Sequence, residues 1–147
     1  MTNLAENRDL VRRYVQALDS HDLEAAGRLV ADDLVNHAAI PEAQGSAGMR
    51  TILQKLIDAM PDMRWTVEDV VAEGDRVVCR VSVRGTQTGP LHFSRYPLPP
   101  TGRSFTSEHI HMMRIANGKV AEHWAGRDDM GMLRQLGHLP LGGAVKS

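Results

Sequence analysis

The chain has 147 residues, 42% of them apolar and 24% charged, with a formal net charge of −1 and a single cysteine. That length suits one domain spanning 1–147 with a buried core, and the composition is that of an ordinary globular protein. Scattered Lys and Arg exclude the basic footprint of a nucleic-acid binder and a polybasic membrane patch, and the lone Cys79 excludes an internal disulfide or a cysteine-rich zinc cage.

No apolar run reaches transmembrane length, and the opening MTNLAENRDLVRRY carries charges where a signal peptide needs apolar residues. A cytoplasmic protein is therefore expected. Eight methionines against few aromatics predict a pocket with adaptable aliphatic and thioether walls.

The first third reads as helical. Leu10, Val11, Tyr14, Val15 and Leu18 recur at helical spacing behind Asn3, a candidate N-cap. The turn from Asp19 to Asp22 starts a second helix carrying Leu23, Ala26, Leu29 and Val30. Leu34 to His37 reads as a short extended segment, and residues 38–48, with Pro41 and two glycines, as a loop. Ser46 is the expected cap of a third helix bearing Met49, Ile52, Leu53, Leu56, Ile57 and Met60, stopped by Pro61.

Beyond Pro61 the period changes to two. Trp65, Val67 and Val71 form one strand, and Val77, Cys79, Val81 and Val83 the next. A three-residue link, Glu73-Gly74-Asp75, pairs Val71 with Val77 and Val67 with Val81, giving one apolar face. The proline-rich stretch 85–102 reads as a long surface connection. Strands over 104–115 and 119–128 follow, then a helix over 130–136 ending at Gly137, with frayed final residues. Helices first and antiparallel strands afterwards predict an α+β domain: three N-terminal helices packed on one curved antiparallel sheet.

Asn117-Gly118 is a strong type I′ hairpin signal, because both central residues tolerate positive φ. Counting back from Ala116 opposite Lys119 puts Met113 opposite Glu122, His111 opposite Trp124, His109 opposite Gly126 and Ser107 opposite Asp128. Those residues share one face, and His123 and Arg127 fall on the other. A carboxylate, two imidazoles and an indole beside the gap at Gly126 make a plausible reaction site. Asp128 can cap the last helix, His109 and His111 can be half-buried strand residues, and His-x-His with Asp128 can form a two-histidine, one-carboxylate metal site. Cys79 lies on an apolar strand face with no assigned histidine, which disfavours a thiol nucleophile.

Four segments, VNHAAIPEAQG, PPTGRSF, IHMMRIANGKVAEHW and DDMGMLRQLG, together resemble the SnoaL-like polyketide cyclase family, of nuclear transport factor 2-like fold, over nearly the whole chain. The resemblance implies a cone-shaped domain, a curved sheet wrapped around three helices, enclosing a deep apolar pocket. It further implies ring closure by intramolecular aldol condensation without metal, cofactor or covalent intermediate. The aspartate four residues after Trp124, Asp128, takes the acid/base role, with His109, His111, Asn36 and His37 as polar helpers. Trp124, Met113 and Gly126 are expected as pocket wall. The same fold also carries isomerases, dehydratases and epoxide hydrolases, and a non-catalytic ligand-binding module is a third alternative. A homodimer through the outer sheet face completes the expectation, with Arg80 and Arg84 meeting solvent or that partner.

Overall fold

Helix α1 (Leu4–Asp19) starts where expected, with the Asn3 side chain accepting from the Glu6 N–H, and it buries Leu10, Val11, Tyr14, Val15 and Leu18. The structure, a computed structural model, describes residues 3–92 and 96–139. The expected fraying of the last residues falls outside them. Helix α2 (Leu23–Arg28) is capped by Asp22 and stops early. Val30, expected in that helix, opens strand β1 (Val30–Asn36), where its β-branched side chain is 1% exposed and paired with Val120.

A 3₁₀ turn (Pro41–Ala43) leads to α3 (Gly45–Ala59). Ser46 is not its cap. It sits inside the first turn, buried, with Oγ donating to the Gly27 carbonyl at 3.3 Å. Gln44 precedes the helix, and its amide grips the end of β1: Oε1 accepts from Asn36 N at 2.7 Å, and Nε2 donates to Asn36 O at 2.9 Å. This clamp fixes where Asn36 stands.

Strands β2 (Arg64–Glu73), β3 (Arg76–Thr86), β4 (Ser104–Ala116) and β5 (Lys119–Arg127) form a sheet of order β1-β5-β4-β3-β2. Three of its four pairings are antiparallel, but β1 runs parallel to β5. The sheet is thus mixed rather than antiparallel throughout. Most of the domain separates β1 from β5, which satisfies the long crossover that a parallel pair requires. Helix α1 packs on β2 and β3, α3 on β1, and α4 (Asp129–Leu136) on β4. Val77, Cys79, Val81 and Val83 face these helices at 0–1% exposure and, with Met60, Met113 and Leu136, make the core.

Both hairpins contain a β-bulge. The first turn has two residues, Gly74-Asp75, rather than three: Glu73 pairs with Arg76 and Ala72 with Val77. Glu68 is then an extra residue, and beyond it Val67 meets Val81 as expected. The second turn matches its signal, with φ of 53° at Asn117 and 70° at Gly118. Four residues later the ladder shifts. Ile115 pairs with Val120 and Arg114 with Glu122, leaving Ala121 as the extra residue.

Candidate active site

That bulge decides which side chains meet. Beyond it, Met113 pairs with His123, His111 with Ala125 and His109 with Arg127, one position further along β5 than simple counting gives. His109, His111, Met113, His123 and Arg127 therefore share the inner face, since they lie in register with the buried Val77, Cys79 and Val81. Trp124 and Gly126, expected among the histidines, stand on the outer face opposite Met112 and Ile110. A Cβ built on Gly126 meets nothing within 4 Å, so its openness belongs to the outer surface.

The inner face closes over a cavity of about 80 Å³ between α1, β1, α3 and β5. Leu34, Met49, Ile52, Leu53 and Met113 supply apolar wall, while Tyr14, Asn36, His123 and Arg127 supply the polar groups. The Tyr14 hydroxyl donates to the Met49 thioether at 2.9 Å, and burial raises its pKa far above the usual phenol range.

Asn36, His123 and His111 form a hydrogen-bonded chain whose polarity can be worked out. The Ala38 N–H donates to Asn36 Oδ1 at 3.0 Å, so that atom is an acceptor. His123 Nδ1, 2.9 Å from the same oxygen, must carry its proton. Its Nε2 is then a lone pair and takes the proton of His111 Nδ1 at 2.8 Å. Among the described residues, His111 Nε2 has no hydrogen-bond partner and is left as an acceptor. Neutrality of both rings agrees with the electrostatics. Burial first, then Arg127 and His37, lowers His123 to about 4. Burial, then His123, His109 and Arg127, lowers His111 to about 2. His109, 5.4 Å from His111 between ring centres, is brought to about 4 by burial and Arg127.

Besides Trp124 and Gly126, the expected site residues His37 and Asp128 also stand outside the cavity wall. His37 faces the outer side, where Nε2 meets Glu122 Oε2 at 2.6 Å and its ring stacks on Trp124 at 4.9 Å. Arg76 lies over the same indole, 4.9 Å from its centre. Trp124 thus contacts both an imidazole and a guanidinium, away from the cavity. Asp128 follows Arg127 beyond the last ladder pair, and its exposed carboxylate caps α4 by accepting from Gly131 N at 2.8 Å. It is not paired with Ser107, nor diagonal to His109, because the strand has ended. His123 and Arg127 are the residues that parity counting missed; only the bulge at Ala121 would have revealed them. Among the described residues, no group of three His, Cys, Asp or Glu is arranged to hold a metal ion, and no helix is long and apolar enough to cross a membrane.

The profile of the SnoaL-like polyketide cyclase family matches residues 8–136. The aklanonic acid methyl ester cyclase DnrD of Streptomyces peucetius is 30% identical over 133 residues, covering 88% of this chain and 89% of that protein. Among solved structures, TsrD from Streptomyces laurentii superimposes with a TM-score of 0.84 at 28% identity, covering 95% of this chain and all of that one. Wild-type IdmH from Streptomyces antibioticus gives 0.75 at 34% identity over 89% and 98% of the two chains.

Proposed function

The chain belongs to the SnoaL-like polyketide cyclase family, and from that premise we propose that it closes a ring in a polyketide-derived small molecule by intramolecular aldol-type condensation. The observation that carries this reading is the neutral chain Asn36–His123–His111, which ends in a free imidazole acceptor on the inner face that walls an apolar cavity. An aldol closure is redox-neutral and only relocates a proton. His111 Nε2, an acceptor, takes a hydrogen bond from a hydroxyl of the substrate and orients the chain for closure. Asp128, next in the chain to the cavity-lining Arg127, takes the proton from the donor carbon. The enolate carbon so formed bonds to the carbonyl carbon, the C=O π pair moves to oxygen, and Asp128 returns its proton to that alkoxide. Asn36 and Met113 serve as substrate wall, whereas His37, Trp124 and Gly126 have no place in it.

Asp128→Asn separates chemistry from capping. Asparagine caps a helix as well as aspartate does, so thermal stability should be unchanged. Conversion of aklanonic acid methyl ester, the compound named for the relatives, should fall on the order of 100-fold or more. Undiminished turnover would leave Asp128 with capping alone and send the carbon-bound proton to solvent. A wild-type protein that binds this ester without converting it would support a ligand-binding module instead. The same reading includes a homodimer through the outer sheet face.

A further inference from the structure

The polar lining of the cavity has one sign. No carboxylate lines it, and among the described residues Arg127 brings its only formal charge. That guanidinium is only lightly engaged. Nη2 donates to the Ala38 carbonyl at 3.0 Å, and the nearest carboxylate, Asp129, stands 3.9 Å from Nε, beyond hydrogen-bond reach and itself 40% exposed. The groups facing Arg127 are His109 and His111 from β4, His123 from β5, the Tyr14 phenol from α1 and Asp129 from the start of α4. The three imidazoles are neutral, and the phenol is a donor.

We propose that the cavity takes its ligand as an oxygen anion, an ionised enol or phenol, whose oxygen is held at Arg127. This rests on the cavity's being the reaction site. It also resolves a chemical difficulty. None of the inner-face imidazoles is basic enough to strip a carbon acid near neutral pH, so a strong buried base is missing. A cation beside an apolar wall lowers the pKa of the substrate instead, because an opposite charge favours the ionised form. The proton then leaves an enol O–H or an activated C–H for solvent or Asp128, and the electron pair stays on the ligand oxygen facing the guanidinium.

4-Nitrophenol and 4-nitroanisole are suitable probes: the first ionises to a coloured phenolate and the second cannot. With protein in excess, bound 4-nitrophenol should titrate at least one pH unit below the free compound, about a tenfold preference for the anion. Arg127→Met should abolish that shift while 4-nitroanisole binds as before. Asp129→Asn, which removes the opposing carboxylate, should enlarge it. Titration at or above the free value, a shift that survives Arg127→Met, or failure of wild-type protein to bind either probe overturns the proposal. Conversion of aklanonic acid methyl ester is scored separately. Turnover without anion preference would sink this inference alone, and anion preference without turnover would sink only the cyclase reading.

Discussion

His123 shows how a single position determines the electrostatics of the site. It touches both ends of the chain, Asn36 and His111, and shares the inner face with His109. All three imidazoles are held below their ordinary value mainly by burial, His109 and His123 to about 4 and His111 to about 2. Unfolding returns each ring to a value near 6.5. Below that pH the unfolded chain binds protons that the folded chain refuses, so stability falls as pH falls. The melting temperature should be highest above pH 6.5 and drop progressively towards pH 4, ahead of most carboxylate titration. His109→Gln removes one of the three proton sites outside the hydrogen-bonded chain, so its midpoint should fall less steeply. A flat profile between pH 7 and 4.5 would contradict the neutral, buried assignment.

At the scale of elements, the junction before α3 reverses an ordinary propensity rule. Gly48 lies within the helix, where alanine normally gains about 1 kcal/mol. A Cβ there would come within 2.4 Å of the Ala43 carbonyl carbon and 2.7 Å of its oxygen. Those are backbone atoms of the 3₁₀ turn and cannot swing aside. Gly48→Ala should therefore destabilise by about 1–3 kcal/mol, as overpacking does. Urea unfolding checks the sign; a gain would mean that the turn moves freely. The neighbouring elements also show what the sequence makes legible. The α1 cap at Asn3, the Asn117-Gly118 turn and the α4 stop at Gly137, with φ of 89°, follow from local chemistry and were readable. The bulges at Glu68 and Ala121 were not, because an extra residue carries no side-chain signal of its own. In the first hairpin the valine pattern was matched by a longer turn instead of a bulge, and Val67 still found Val81. In the second the turn was right and the register beyond it wrong, which exchanged His123 and Arg127 for Trp124 and Gly126.

For the whole molecule, the outer sheet face is the surface left to explain. Val71, Val78, Met112 and Trp124 are successive cross-strand partners and form one apolar row over four strands. Val71 is 65% exposed, and Ile110 beside the row is 46% exposed. The charges around them are satisfied within the chain: Arg80 meets Asp69 at 2.7 Å and also Glu108, and Arg114 meets Glu122 at 2.9 Å. An apolar row bordered by the paired Arg80 and Arg114, with Arg76 resting on the Trp124 ring, can be covered at a modest desolvation cost, which suits a second copy. Sedimentation should find a dimer at micromolar concentration, independent of dilution in that range. Ile110→Glu is the discriminating change. In the free chain the new carboxylate would lie beside its cross-strand partner Arg80 and stay in water, so folding should be spared. In a paired sheet it would be buried, and the variant should sediment as a monomer. A monomeric wild type would overturn the dimer, and a variant that still dimerises would place the contact elsewhere. Because Ile110 points away from the cavity, the monomeric variant should keep its turnover per chain. Loss of activity together with the dimer would instead mean that the partner completes the site.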